Sequence, residues 1–347
     1  MKHLLKTLPL LFVLTLVGCN NSSGVKVKPK NGTKVEAAEF FEALSKTEES
    51  MLSRQAIGIK ATNLAVDAKI REDEVVDNKI EKSDDLVIKT SEGTVTMNVK
   101  GITKEKDPKN ATAEIHVDTK VDVQVNLLDG EKPADGVIKG QAKPNIYSEQ
   151  GNLYLDIDKG TGDIIKKAAK VTGSEVPVSF PAQYVLKDAV DFSSFGIDLD
   201  AEEMEEGYAQ LTEEQKSKVI FQKYSSTSYS LWIDHLVTEE VKKSDDDKYV
   251  MSKETADIQA SMVIDTTLGI TEANFIVAQE TSRTVYYELR YSSGFDPANY
   301  EDAFLNSELE NQKINFEGSA KFSYDDKVKV TLPDNLDDYA DLSLLLK

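Results

Sequence analysis

Cys19 is the residue with the most distinctive chemical setting, and it is the only cysteine in the 347-residue chain. It follows a largely apolar run, Leu8–Val17, which is itself preceded by Lys2 and Lys6. The run is too short for a spanning helix, which needs about 20 apolar residues, and its basic start is typical of a secretory signal. A thiol placed here is delivered to the bilayer surface, where it can react with an acyl-bearing phospholipid. The small Gly18 before it suits a peptidase that cleaves at that thiol.

The tetrapeptide Leu16-Val17-Gly18-Cys19 resembles the lipobox of bacterial lipoproteins. The resemblance implies cleavage between Gly18 and Cys19, diacylglycerol on Cys19, and a lipid anchor at the extracytoplasmic face of a bacterial membrane. We therefore predict a signal peptide over residues 1–18, a flexible tether over 19–34 and a folded domain over 35–347. The alternatives are an ordinary signal peptide with an incidental cysteine, or a buried cysteine. Cys19 has no partner for an internal disulfide.

Charge and composition limit the partners. The formal net charge is −20, which argues against a nucleic-acid partner, because binding a phosphate backbone needs a basic face. A hydrophobic content of 40% with 7% aromatic residues is that of an ordinary globular domain. The partner predicted from the N-terminal signal is the membrane, reached through lipid on Cys19.

Alternating apolar and polar residues predict long antiparallel strands. The clearest runs from Ala113 to Leu127, with its odd-numbered face expected to be buried and its even-numbered face wet. A change of parity in the strand from Gln55 to Ile70 predicts a bulge near Thr62-Asn63. Further strands are predicted over 86–100, 137–142, 145–147, 153–157, 229–233, 258–264, 285–291 and 314–324, the last continuing through Val328 to Leu332.

Capping residues and helical spacing predict four main helices. The first is expected from about Val35 to Leu52, opened by a capping box, Thr33–Glu36. The second is expected to begin at Thr161 or Asp163 and to end at Gly173. Capping boxes that begin at Asp200 and Thr212 predict two short helices, and Asp296-Pro297 predicts another, towards Leu309.

The predicted fold class is α+β. We expect a large curved antiparallel sheet, similar to a half-barrel, with an N-terminal helix and further helices packed on one face. Prolines at 177 and 181 open an irregular region, so the domain could consist of two subdomains, 35–172 and 198–347, joined around 173–197.

Clustered carboxylates give weak metal signals. The stretch Asp156–Asp163 alternates oxygen ligands with glycines, but Thr161 and Lys167 occupy the places where an EF-hand needs Gly and Glu. A strand end, a glycine turn and a helix cap explain it better. Asp245–Asp247 is interpreted as a solvated turn, and the acids of Ile197–Glu206 as charges at a helix start.

Catalytic signals are weaker still. His116 and His235 lack zinc-ligand spacing, and neither a Gly-x-Ser-x-Gly elbow nor a Walker loop occurs. The single Trp232 argues against a broad carbohydrate-stacking surface. Tyr286, Tyr287 and Tyr291 are interpreted as part of the sheet core or its rim. We therefore predict no enzymatic activity and no cofactor.

The order of a lipid anchor, a tether, an amphipathic helix and a one-sided sheet resembles the lipoprotein carriers of the LolA-like and LppX/LprG-like groups. The resemblance covers roughly Val35 to Pro333 and rests on element order and alternation. It implies a curved sheet that is closed by helices over an apolar cavity and that carries or senses a lipid at the envelope. The rival interpretation is a structural or adhesive surface lipoprotein with a solid core and no small ligand.

Overall fold

The computed structural model describes residues 25–29, 31–76, 79–102, 111–127, 134–171, 179–189, 199–244, 249–289 and 304–342. The helices are α1 (Ala37–Leu52), α2 (Lys159–Val171), α3 (Ala201–Ala209) and α4 (Glu213–Lys216). The strands are β1 (Thr33–Lys34), β2 (Ala56–Val76), β3 (Lys79–Lys100), β4 (Thr112–Leu127), β5 (Ala134–Ala142), β6 (Asn145–Glu149), β7 (Asn152–Ile157), β8 (Ala182–Leu186), β9 (Val219–Lys223), β10 (Ser228–Ser244), β11 (Tyr249–Asp265), β12 (Gly269–Leu289), β13 (Phe304–Tyr324) and β14 (Ala340–Asp341).

All these strands belong to one 14-stranded sheet in the order β1-β9-β10-β11-β12-β13-β2-β3-β4-β6-β7-β8-β14, and β5 pairs with the far half of β4. Every pairing is antiparallel except that of β14 with β8. The two predicted subdomains meet in the pairing of β13 with β2, which makes the sheet continuous. The predicted α+β class, with a large curved antiparallel sheet and few helices, is confirmed.

Bulges divide the longest strands into a proximal half, near α1, and a distal half. The register shifts between Ala61 and Leu64 in β2, where Asn63 has a φ of 53°, as the parity change predicted. Neighbouring β3 shifts at Glu92, which has a φ of 57°, and β10 shifts at His235. A bulge adds one residue and so reverses which parity faces the core. The apolar residues of β2 therefore stay on one face of the sheet, which we call the apolar face.

Helix α1 covers the proximal apolar face over β9–β12. Phe40 and Leu44 of α1 are fully buried, and they pack with Phe221, Ile264 and Ile270 of the sheet. A second buried cluster continues the core across the sheet through Ile57, Leu64, Val99, Leu236, Ile258, Phe275 and Ala320. Together these clusters bury most of the proximal apolar face, although side chains such as Ile115 and Phe322 are only partly buried.

Helix α2 lies on the same face, above β5. A Cβ atom on Gly140 would lie 2.8 Å from Ile164, and one on Gly136 would lie 2.6 Å from Val171, so only glycine allows the helix this close. Gly140 pairs directly with Val121 of β4, and directly paired residues share a face. Both α1 and α2 therefore pack on the apolar face, as predicted.

The N-terminal segment crosses the opposite face, which we call the polar face. Val25 and Val27 are only 6% and 5% exposed. They lie with Trp232 and Ile276 around one cleft, and the Lys28 ammonium sits 4.9 Å from the centre of the Trp232 ring. The flexible tether predicted for residues 19–34 is therefore wrong for 25–29, whose valines are packed, and for 33–34, which form β1.

The C-terminal segment, residues 325–342, also lies on the polar face. Arg54 donates to Asp325 at 2.8 Å and fixes its start. Val328 is 2% exposed and lies against Gly58, and the segment ends as β14 beside β8. The predicted continuation of the strand through Val328 to Leu332 is wrong, because the strand ends at Tyr324 and a short 3₁₀ turn follows.

Two predicted helix starts differ from the structure. Thr33 and Lys34 pair with Lys223 and Gln222 as β1, so the predicted capping box does not form, and α1 begins at Ala37. Helix α2 begins at Lys159, two residues before the nearer of the predicted starts, Thr161 and Asp163. The reason is that the Asp158 carboxylate caps it by accepting from the Gly160 and Thr161 amides.

The two short helices begin where the sequence indicated. Thr212 and Gln215 form the full capping box. At α3 only half of the box is seen, with the Asp200 carboxylate accepting from the Glu203 amide. Asp296-Pro297 lies outside the described residues. The helix predicted to run from there towards Leu309 is wrong from Phe304 onwards, since those residues form the start of β13.

The two faces of β4 are not divided as simply as predicted. On the odd-numbered face Ala113 and Thr119 are buried, but the valines that follow are only half-buried. On the even-numbered face Glu114 is 7% exposed, because the C-terminal segment covers it. Parity therefore gave the face correctly, but burial changes along the strand with the segments that lie over it.

Candidate functional site

The distal half of the apolar face carries a contiguous set of half-buried apolar side chains, which we call the apolar patch. Its members are Val66, Ile70, Leu86, Ile88, Val121, Val123, Val125, Ile314 and Phe316. Strand pairing places them side by side on β13, β2, β3 and β4, with Ala68 between Ile314 and Ile88 at the centre. None of them reaches the near-complete burial of the proximal face.

The dimensions of the apolar patch follow from strand geometry. Its outer rows are about 13 Å apart along the strands, and its outer strands are about 14 Å apart across the sheet. A cleft of about 480 Å³ lies at one side, between Thr90, Val121 and Gly140. Contiguous apolar surface that is left incompletely buried over this extent is typical of a binding surface.

Charged residues border the distal end of the apolar patch. In the next two rows of residues along the strands, Glu72 lies directly opposite Glu310 and Asp84, and Glu74 lies directly opposite Glu308. These residues line a cleft of about 230 Å³ together with Lys82 and Arg283. The Lys82 ammonium lies 2.9 Å from the Glu74 carboxylate, and the Arg283 guanidinium lies 3.7 Å from that of Glu310. The patch is therefore apolar at its centre and charged at one end.

A polar cluster on the opposite face contains His116. Its Nδ1 lies 2.7 Å from the Asn145 amide oxygen, which can only accept, so Nδ1 donates. Its Nε2 lies 3.7 Å from the carboxylate of Glu114. The Glu114 oxygens accept from the Asn98 amide at 2.8 Å and from the Thr331 backbone amide at 2.9 Å.

The tyrosines of this cluster hold the end of the C-terminal segment. The Tyr339 hydroxyl donates to Asp156 at 2.7 Å. Burial and that hydrogen bond raise the pKa of Tyr339 above its ordinary value. Burial, with the charges of Asp156 and Glu114, likewise raises the pKa of Tyr147. Both phenols therefore stay protonated at neutral pH, and the arrangement fastens the C-terminal segment to the sheet.

The other candidate residues have structural surroundings where they are described. Burial opposes ionisation of Asp158, but hydrogen bonds from Thr161, Lys143 and Gly160 outweigh it and hold its pKa below the usual value. The stretch Asp156–Asp163 is thus a strand end and helix cap, as the sequence favoured. His235 sits at the β10 bulge beside Asp257, 3.0 Å away, with both side chains largely exposed.

The remaining predicted site residues are dispersed. Tyr286 is buried in β12, and Trp232 lies under Lys28 on the polar face. Gly18, Cys19, Tyr291 and Asp245–Asp247 lie outside the described residues, as do Ile197 and Asp198 of the acidic stretch. Over the ranges that the structure describes, no group of three or more His, Cys, Asp or Glu side chains could hold a metal ion.

Sequence reasoning identified the apolar face but not the apolar patch. The alternation of Val121, Val123 and Val125 is the same as that of buried strand residues, so it gives no sign that they are only half-covered. The burial of Glu114 was also missed, since its cover comes from a segment more than 200 residues later in the chain.

No family model matches this chain, and no curated protein matches it. Among solved structures, the outer membrane protein OprG from Pseudomonas aeruginosa is 7% identical over 80% of this chain and 99% of its own, with a TM-score of 0.17. The InvG secretin-domain β-barrel from Salmonella is 8% identical over 97% of this chain and 84% of its own, with a TM-score of 0.16. The outer membrane protease OmpT from Escherichia coli is 6% identical over 78% of this chain and 98% of its own, with a TM-score of 0.17. At these TM-scores the likeness establishes neither a common fold nor a function.

In the part of the chain that the structure describes, no helix is both long and apolar enough to cross a membrane.

Proposed function

We propose that this protein is a bacterial lipoprotein that binds an acyl chain or another apolar ligand on the apolar patch, at the extracytoplasmic face of a membrane. The half-exposure of the apolar patch carries the proposal. The members of the two core clusters of this sheet are at most 8% exposed, whereas every member of the apolar patch is only half-buried. An apolar centre with a charged end matches an amphiphile, whose chain avoids water and whose head does not.

The anchor and the packed N-terminal segment would together place the sheet beside the membrane. From Cys19 the chain can extend at most about 22 Å before Val25, where packing on the polar face begins. A ligand leaving the bilayer would thus have a short path to the protein. Binding on the sheet needs no catalytic group, in keeping with the sequence-based prediction that the protein is not an enzyme.

Substituting Val123, in the central row of the apolar patch, tests the binding proposal. We expect Val123→Asp to abolish co-purification of lipid, because a charge would have to be desolvated beneath the apolar ligand. Mass spectrometry of gently purified protein measures the lipid. The matched control is Gln124→Asp, one residue along β4 on the exposed opposite face, which should keep it.

Thermal melting of both variants separates loss of ligand from loss of fold. Since Val123 is only half-buried, its substitution should leave a cooperative transition. Two results would refute the binding proposal: absence of lipid from the unmodified protein, or equal retention by Val123→Asp and Gln124→Asp.

Membrane attachment through Cys19 has a test of its own. Cys19→Ser removes the only thiol, so the protein should leave the membrane fraction, because a serine hydroxyl is not a substrate for this acylation. Fractionation followed by immunoblotting measures the change. Unaltered membrane association of Cys19→Ser would disprove the anchor and leave the proposal about the apolar patch untouched.

A further inference from the structure

The distal part of β10 is an edge of the sheet. On one side β10 pairs with β11 along its whole length, from Ser228 to Ser244. On the other side β9 pairs with it only from Tyr229 to Ile233. Beyond the bulge, no strand among the described residues pairs with Leu236–Ser244 on that side. The opposite edge of the distal half, β5, is protected by α2, from which Lys167 donates to the Lys139 carbonyl.

Natural proteins usually protect such edges with short strands, bulges or covering elements, since an open edge pairs readily with another strand. The β10 edge instead exposes two large apolar side chains on the polar face, Val237 at 60% and Val241 at 52%. A long edge that also displays valines is suited to strand addition by a partner.

The sequence of this edge is complementary to itself. Residues 239–243 read Glu-Glu-Val-Lys-Lys, so the charges are of opposite sign on either side of Val241. When two such strands run antiparallel with Val241 opposite Val241, Glu240 comes opposite Lys242 and Glu239 opposite Lys243, each of them twice. Opposite charges on directly opposed residues stabilise an antiparallel pair, and like charges destabilise it.

Neighbouring registers are unfavourable. A two-fold axis perpendicular to a sheet passes midway between directly opposed residues, so the next symmetric registers are centred on Glu240 or on Lys242. They would place Glu240 opposite Glu240, or Lys242 opposite Lys242. The Val241-centred register is therefore the one that the charges select. Glu239 now pairs with Lys253 at 2.9 Å, but both side chains are more than half exposed, and such pairs contribute little.

We propose that two copies of this chain associate through antiparallel pairing of their β10 edges over Thr238–Ser244, with the two-fold axis at Val241. The pairing joins two sheets into one continuous sheet, and an isologous contact of this kind closes after two copies. Each edge satisfies the backbone groups of the other, and the two Val241 side chains cover one another.

The geometry of this dimer agrees with a membrane anchor. An axis perpendicular to the sheet keeps the two polar faces on the same side. The two N-terminal segments, which lie on those faces around Trp232, are then on the same side of the joined sheet. Attachment to a common surface raises the effective concentration of the copies, so a small interface is sufficient.

Disulfide trapping at the axis tests the proposed register. In the full-length chain, in membranes, Val241→Cys adds one thiol that lies opposite its own copy. Directly opposed Cβ atoms are about 4.5–5.5 Å apart, close to disulfide distance. Mild oxidation should therefore give a linked dimer on a non-reducing gel. The unmodified chain, which has only Cys19, measures the background.

Val237→Cys is the matched control, because residue 237 lies four positions from the axis and so does not oppose its own copy. It should give no more dimer than the unmodified chain. A Val241→Cys chain that gives no dimer above background, or a Val237→Cys chain that links equally well, would overturn the proposed pairing.

Charge reversal in the Val241→Cys chain tests whether the charges of the β10 edge determine which strand pairs with it. Glu239→Lys with Glu240→Lys makes every charge of the edge positive, and Lys242→Glu with Lys243→Glu makes every charge negative. Each variant alone should lose cross-linking by on the order of tenfold or more, since four attractive pairs become repulsive. Co-expression of the two should restore it as a mixed dimer, which also shows that both variants fold. An equal yield of cross-linked dimer with and without these reversals would refute the proposal.

Discussion

Phe40→Ala should lower the free energy of unfolding by about 3–5 kcal/mol, the range for removing a buried aromatic side chain. Phe40 is fully buried in α1. Its ring centre lies 5.0 Å from that of Phe221 and 5.6 Å from that of Phe41, so the truncation leaves a void at the centre of the contact between helix and sheet. Urea denaturation followed by circular dichroism measures the loss.

Leu52→Ala on the same helix is the matched control. Leu52 is at the last position of α1 and is 51% exposed, so its truncation removes little buried area. We expect a change within about 0.5 kcal/mol, as for other surface substitutions. Similar losses at the two positions would show that α1 does not cover the proximal apolar face as described.

The success of the sequence-based predictions depended on how local the deciding interaction was. The Thr212 capping box and the bulge at Asn63 were predicted because each is determined by residues within a few positions. The Thr33 capping box had the same local signal. At Thr33, however, the backbone pairs with residues nearly 190 positions away, Gln222 and Lys223, and forms a strand instead of a helix start. Local propensity is a weak prior, and tertiary pairing overrides it.

The degree of burial of a strand residue also depends on distant parts of the chain. Alternation showed that Val99 and Val123 share one face, and the structure confirms this through the paired strands. Alternation does not show that Val99 is fully buried while Val123 is half-buried. That difference depends on distant parts of the chain, because Val99 belongs to a buried cluster whose members come from β2 to β13. The apolar patch, which is the basis of the proposed function, could therefore be recognised only in three dimensions.

The two ends of the described chain have a common role that the sequence did not suggest. Residues 25–29 and residues 325–342 both lie on the polar face, where the strands alone would expose their polar side chains to water. Each end contributes buried apolar residues, Val27 at one and Val328 at the other. The polar face is therefore partly a second core, made from the chain ends, and Glu114 is buried where the C-terminal segment crosses β4.

Glu114→Ala should destabilise the protein by about 1–3 kcal/mol, because two donors lose part-buried hydrogen bonds to the Glu114 carboxylate, each contributing about 0.5–1.5 kcal/mol. These donors are the Asn98 amide and the backbone amide of Thr331. The second lies in the C-terminal segment, so we also expect faster hydrogen exchange over residues 328–342 than in the unmodified protein. Urea denaturation gives the first quantity, and exchange with mass spectrometry gives the second.

His116→Ala separates this effect from a general weakening of the cluster. His116 lies two residues along β4 on the same face, but its side-chain hydrogen bond is to Asn145 of β6. We expect a loss below about 1 kcal/mol, typical of one exposed hydrogen bond, and unchanged exchange over residues 328–342. If Glu114→Ala left that exchange unaltered, the C-terminal segment would be held by its other contacts, such as the Arg54–Asp325 pair and β14, and not by Glu114. If both variants accelerated exchange over residues 328–342 equally, the Glu114 carboxylate would contribute no more than His116 to holding the C-terminal segment.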